Sequence, residues 1–304
     1  MTARRQYRDL KKRLQLYAEV MRLRRSGFGY KQISRIIKEK HGISLNPGMM
    51  CNWIRGRYHP LGRRCNKLIK GAELAYVIGG WLGDGTLALD KENHKQYIIL
   101  SVKDFDFAAE WGRCLAIVSG RSKPYMPYRD EANGRWKVRA SNVLLYAILK
   151  DARKDPSTTI PYLEQNPDKA LQGLFDAEGN VDELFYRIRL FNTNIKLIRL
   201  AEILLRKIGI SSRIYACRQP SVISDPRSRK VYTRKYRTLY HLVISRRENI
   251  VKFARRIGFR IRRKQGALES LLRKYHSNAY LAPCLKEIMG RGAFEAPSNG
   301  PGGI

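Results

Sequence analysis

Up to about residue 65 the apolar positions fall only at helical spacing. Leu16–Arg25 reads as a helix, and Ser26, Gly27, Phe28 and Gly29 break it. Tyr30–Lys40 then places Ile33, Ile36 and Ile37 on one face, as a 3.6-residue period requires. After a turn over residues 41–44, Pro47–Arg55 carries Met50, Trp53 and Ile54. Helix, turn, amphipathic helix, turn, short helix is a helix-turn-helix order, in which the last helix enters a major groove. Asn52, Trp53 and Arg55 are the expected contacts. Residues 58–64 combine Pro, Gly and arginine and read as a linker, with Arg63 and Arg64 lying along phosphates.

From about residue 68 to 277 helical and alternating patterns follow one another, and they do so twice. Each copy opens with a glycine-bearing helix and continues with two strands, a helix, two strands and a helix. The first copy places these over Thr86–Leu89, Gln96–Val102, Phe105–Val118, Tyr125–Tyr128, Arg135–Ala140 and Asn142–Lys150. The second uses Asn180–Glu183, Tyr186–Asn192, Ile195–Ile208, Arg213–Arg218, Thr238–Ile244 and Asn249–Ile257. The division expected is a module with linker over 1–65, two related subdomains over 66–160 and 161–289, and a disordered tail over 290–304.

The opening helices carry the candidate chemistry. Gly79 and Gly83 are four residues apart, and Gly173 and Ala177 repeat the spacing. Small residues on one face let two helix backbones approach closely. Asp84 and Glu178 each follow the second small residue, so packing on this face brings the two carboxylates together at one end. Gly85 and Gly179 come next and are expected in the left-handed conformation that ends many helices. Two nearby carboxylates repel each other unless a cation lies between them. Hard oxygen donors favour Mg²⁺, Mn²⁺ or Ca²⁺. Asp176 is two residues from Glu178, so it points elsewhere and reads as a surface or capping residue. Asp104 and Asp106 open a helix, where acids complement its dipole. Asp182 and Glu183 are given a loop role.

Charge gives this chemistry a substrate. Sixty Lys and Arg against twenty-six Asp and Glu leave a formal charge of +34, which calls for a polyanionic partner. No apolar run approaches the roughly 18 residues of a membrane-spanning helix. The N-terminus lacks the apolar stretch of a signal peptide, so a soluble cytoplasmic protein is expected. Five cysteines without CxxC spacing argue against a zinc site or a disulfide framework. Basic and apolar residues alternate on two strands: Arg135, Lys137 and Arg139 on one, Arg187 and Arg189 on the other. Residues 227–237 read as a long basic hairpin loop reaching along a duplex, with Arg229, Lys230, Arg234, Lys235 and Arg237 as contacts. Lys252, Arg255, Arg256, Arg260, Arg262, Arg263 and Lys264 read as phosphate contacts.

The segments VIGGWLGDG (77–85) and LQGLFDAEG (171–179) resemble the nine-residue motif of the LAGLIDADG homing endonucleases, in the single-chain, two-motif form. Residues 75–87 are similar to archaeal members. The resemblance covers about two thirds of the chain and leaves out the N-terminal module. It implies an α+β fold: a pseudo-twofold αββαββα pair whose motif helices form the interface and whose antiparallel sheets make a DNA saddle. It further implies a monomeric, site-specific endonuclease acting on an asymmetric duplex target and leaving short 3′ overhangs. Asp84 and Glu178 would be the metal-binding acids, aided by the carbonyls of Gly83 and Ala177. Mg²⁺ is the implied cofactor, with Mn²⁺ substituting and Ca²⁺ supporting binding without efficient cleavage. The chain departs from the family at Val102 and Thr193, where Lys or Gln is usual, and Lys103, Asn192 and Lys196 are the neighbours that could substitute. A non-cleaving DNA-binding regulator and an RNA maturase are the alternatives.

Overall fold

The computed structural model describes residues 10–61, 67–90, 92, 95–224 and 231–275. Arg63, Arg64, Arg229, Lys230 and the tail from 290 lie outside the described residues.

Three helices, α1 (Leu10–Arg25), α2 (Tyr30–His41) and α3 (Pro47–Ile54), close over a core of their own. Leu16, Val20 and Leu23 of α1 meet Ile33 and Ile37 of α2 and Met50 and Trp53 of α3. Gly42 ends α2 in the left-handed region, at φ 63°, and Asn46 caps α3 by accepting from the Gly48 N–H. Glu19, nearly buried on α1, accepts from Lys40 and pairs with His41, which fastens α1 to the end of α2. Trp53 does not fit the major-groove role. It is 2% exposed and packs edge-on against Tyr17, because its face of α3 supplies the module's largest apolar side chain. Asn52 and Arg55 are exposed beside it.

The remaining elements form two copies of one arrangement. The first is α4 (Ala72–Asp84), β1 (Gly85–Asp90), β2 (Lys95–Val102), α5 (Phe105–Val118), β3 (Tyr128–Asp130), β4 (Arg135–Ala140) and α6 (Val143–Lys154). A 3-10 turn and the short α7 (Ile160–Leu163) lead to the second copy. That copy is α8 (Pro167–Glu178), β5 (Gly179–Asp182), β6 (Arg187–Asn192), α9 (Ile195–Lys207), β7 (Arg213–Arg218), β8 (Val222–Ser224), β9 (Val231–Thr233), β10 (Thr238–Ile244) and α10 (Arg247–Arg256). A final helix, α11 (Arg262–Lys274), has no counterpart of its length among the described residues of the first copy.

The fold is mixed α and β with antiparallel sheets, ordered β1-β2-β4-β3 and β5-β6-β10-β7, so each opening hairpin edges its sheet. Strand alternation decides the faces. Ile98, Leu100, Val102, Val138 and Ala140 are buried, as are Ile188, Leu190, Leu242 and Ile244, while the arginines between them face away. The basic stretch before residue 237 is partly a ribbon, β8 against β9, rather than a bare loop. No described helix is long and apolar enough to cross a membrane.

Candidate functional site

Contact between α4 and α8 begins with missing side chains. A Cβ built on Gly79 would come 2.0 Å from the Ala170 carbonyl oxygen, and one on Gly173 would come 2.3 Å from that of Tyr76. At the far end, a Cβ on Gly83 would meet the Ala177 Cβ at 2.4 Å and the Glu178 Cγ at 2.9 Å. The helices therefore touch backbone to backbone, and the Glu178 side chain lies against the residue preceding Asp84. The two carboxylates are brought to one end of the helix pair by this contact.

Gly85 and Gly179 were expected in the left-handed region. Both are extended instead, with φ of −88° and −81°, because each helix runs straight into the first strand of its copy. Glycine is needed there for space. An added Cβ would fall 2.0 Å from the Trp81 Cδ1 and 2.4 Å from the Phe175 carbonyl oxygen.

Burial raises the Asp84 carboxyl above its ordinary value. Burial, and then the charge of Asp84, push Glu178 up to about 7. Asn192 of β6 donates to a Glu178 oxygen at 2.9 Å. Of the three candidate supports, Asn192 is the one hydrogen-bonded to either of the two acids at the helix ends. Lys103 is exposed beside the start of α5, and Lys196 is exposed and stands 3.7 Å from Asp155.

Lys264 is not a surface phosphate contact. It is 7% exposed, enters from the first turn of α11, and donates to the carbonyls of Phe175, Asp176 and Ala177, the last at 3.5 Å. Burial lowers its ammonium to about 8. Asp176 is likewise no surface residue. It is 1% exposed and accepts from the Tyr76 hydroxyl and the Arg260 N–H, both at 2.9 Å, and from the Ile261 N–H at 3.4 Å. Its capping role is exercised on the approach to α11 rather than on its own helix. Asp104 and Asp106 do open α5, and they also reach across. Asp104 accepts two bonds from Arg263, at 2.7 and 2.8 Å, and Asp106 accepts the Arg262 N–H at 2.7 Å. The helix that sequence reading left out therefore ties the two copies together beside the acids. Its sequence signal was Leu268, Leu271 and Leu272 at helical spacing, just after a run read for its charge.

Asp176 gives a pH test. Burial pushes its carboxyl from 3.8 up to about 7. The folded state thus holds a proton that the unfolded chain releases within that window. Its share of stability is complete below the lower value and falls as pH rises toward the upper one. Glu178 contributes in the same sense. Asp176→Asn is expected to flatten the fall in melting temperature between about pH 4 and 7. A slope like that of the wild type would contradict the assignment.

The basic strand residues keep varied company, and of them Arg135 acts on Asp84. Arg135 donates to the Ser101 carbonyl, Lys137 pairs with Asp130, and Arg139 lies over the Tyr97 ring. Arg187 and Arg189 share Asp182, at 2.9 and 3.2 Å. Lys235 and Arg237 are exposed, and Arg234 half-exposed, at the base of the ribbon.

Residues 167–258 match the LAGLIDADG-like domain. The matched stretch begins with α8, includes Glu178 and ends after α10. An uncharacterized protein of Methanocaldococcus jannaschii, MJ0398, is 29% identical over 262 residues, which are 85% of this chain and 93% of that protein. A second protein of that organism, MJ0314, is 27% identical over 150 residues, 47% of this chain and 56% of its own. Among solved structures, the homing endonuclease I-DmoI with DNA and Ca is 20% identical, with a TM-score of 0.45 over 66% of this chain and 97% of its own. Full-length DUF199/WhiA from Thermatoga maritima is 15% identical, with a TM-score of 0.42 over 75% of this chain and 69% of its own.

Among the described residues no group of three or more His, Cys, Asp or Glu stands where it could hold a metal ion. The donors at the helix ends are two carboxylates and the neighbouring backbone carbonyls. They are hard oxygens, and the repulsion that lifts Glu178 is what a cation between the acids would relieve. This donor set fits Mg²⁺, Mn²⁺ or Ca²⁺.

Proposed function

We propose that this chain is a two-motif, single-chain endonuclease of the LAGLIDADG type that cuts both strands of duplex DNA. One observation supports the reading: the glycine contact of α4 and α8 brings the helix ends that carry Asp84 and Glu178 together, close enough for the Asp84 charge to act on Glu178. A binding protein has no electrostatic reason to keep two facing carboxylates near phosphates.

Asp84 and Glu178 would hold a divalent cation, with the carbonyls of Gly83 and Ala177 beside them. When bound, that cation supplies Lewis-acid stabilisation of a phosphodiester in its transition state and lowers the pKa of water. Asn192 holds one oxygen of Glu178, so the carboxylate keeps one orientation. The arginines and lysine on β4 and β6 position the backbone of the duplex by charge. With one acid in each copy, a monomer carries both. The core over 66–289 holds this chemistry and the module over 1–65 adds contacts.

The reading is tested by incubating the full chain with a DNA library and Mg²⁺ and sequencing the ends. Double-strand breaks with short 3′ overhangs are expected, and EDTA should stop them. Intact DNA alongside tight binding would leave a regulator in place of an enzyme. Deleting residues 1–65 is expected to leave a chain that still cuts, with a footprint shortened on one side only. Each lost phosphate contact should lower the slope of log affinity against log salt by about 0.9. A footprint and slope equal to those of the full chain would show that the module does not touch DNA.

A further inference from the structure

Register makes the two sheets comparable position by position. Gly85 is opposite Leu100 as Gly179 is opposite Leu190, so β2 matches β6, and their next neighbours β4 and β10 match in turn. On the faces turned from the core these two strands differ in kind. β4 presents Arg135, Lys137 and Arg139, and the matching positions on β10 are Leu239, His241 and Val243. Burial and the charges of Arg189 and Arg187 lower the His241 imidazole, so it is neutral at pH 7. Three cationic positions in one copy are therefore uncharged in the other. Register also sets Phe191, His241 and Tyr215 in one row across β6, β10 and β7. The Phe191 and His241 rings meet edge-on at 4.7 Å, and Tyr215 is half exposed. Leu239, half-buried and two residues from His241, extends the row on the same face. The arginines beside it, Arg187 and Arg189, are drawn to Asp182.

We propose that the second sheet reads thymine methyl groups in the major groove through Leu239 and this row of rings, and that the first sheet, at the matching positions, does not. The inference rests on the placement of a duplex on the sheets proposed above, and it concerns binding rather than cutting. Among the base edges of that groove thymine alone carries a methyl group, while guanine, adenine and cytosine present hydrogen-bond donors and acceptors. An uncharged side chain laid over those groups leaves them unpaired at a cost, whereas laid over a methyl it buries apolar surface favourably. β4 offers charge at the same three positions. The half-site under the first copy is therefore gripped by its phosphates, and the one under the second copy is selected for thymine.

The test selects duplexes bound by the full chain from a random library in EDTA, where cutting is stopped. In a selected duplex with thymines on both sides of its centre, each thymine is then replaced by uracil, which keeps the pairing and lacks only the methyl. Binding should weaken by about threefold at each contacted thymine, on one side of the centre only. Leu239→Ala should remove that penalty at one or more of these thymines. Arg139→Gln should keep the penalty and lower the slope of log affinity against log salt by about 0.9. Melting curves accompany both variants, and if Leu239→Ala does not fold, the uracil scan of the wild type decides alone. Equal penalties on the two sides, no penalty on either, or a penalty that a folded Leu239→Ala leaves in full would overturn the proposal, as would selection of no duplex. If the row covers a second copy of the chain instead, the protein self-associates and binds uracil and thymine alike, which also overturns it. Failure of the nuclease reading is distinct, because it is scored by cutting in Mg²⁺. A chain that never cuts, yet shows the one-sided penalty, would keep the thymine reading.

Discussion

Asp84→Asn and Glu178→Gln are each expected to abolish double-strand cutting and, at the same time, to raise the melting temperature. The two effects share a cause. Each carboxylate is placed where burial and its neighbour penalise the charged form, so each ordinary value is raised in the fold. An acid raised in this way lowers stability at any pH above its folded value, because the unfolded chain then ionises it more easily. Neutralising Glu178, whose carboxyl is lifted from 4.5 to about 7, should therefore stabilise the protein near pH 8 by roughly 1–3 kcal/mol. Binding of the duplex should change little, since neither acid attracts phosphate. Cutting at wild-type rates in either variant would remove that acid from the mechanism. A lower melting temperature in both would mean that they stabilise rather than strain the fold.

The second large effect concerns the helix contact. Gly79→Leu or Gly173→Leu should cost about 3 kcal/mol or more, at the upper end of what overpacking does. The clash is with backbone, at 2.0 Å from the Ala170 carbonyl oxygen and 2.3 Å from that of Tyr76, and backbone cannot rotate aside. For a domain of this size the melting temperature should fall by about 6–12 °C. Gly266→Ala is the contrast. It sits inside α11, where an added Cβ meets nothing within 4 Å. It should stabilise by about 0.5–1 kcal/mol through helix propensity alone. If Gly79→Leu melts like the wild type, the two helices do not pack on these glycines.

The pattern of apolar residues was enough to find most elements and their order, because each copy repeats a switch between periods that only strands and helices produce. Position within a helix was also legible: the four-residue spacing of Gly79 with Gly83 and of Gly173 with Ala177 places both pairs in the interface. What escaped were features decided by tertiary contact. Lys264 belongs to a stretch of seven basic residues read for its charge, and nothing local distinguishes the one that is buried from those that are not. Trp53 follows the same logic in reverse. Its neighbours Asn52 and Arg55 suit a groove, but only the packing against Tyr17 shows which way the ring turns. Gly85 and Gly179 carried a correct signal with the wrong cause, since crowding by Trp81 and Phe175, and not a left-handed turn, excludes a side chain there.

The backbone contact of α4 and α8 has a consequence for how such a protein changes over time. Side chains that touch a duplex can be exchanged one by one on the sheets, because each stands on a strand that other residues hold in place. The gap between the two acids has no such adjustable part. It is set by two main chains in contact, so no single substitution widens it by a fraction without separating the helices. Under the proposed reading, the address at which the protein acts is free to drift while the stagger between its two cuts is inherited unchanged.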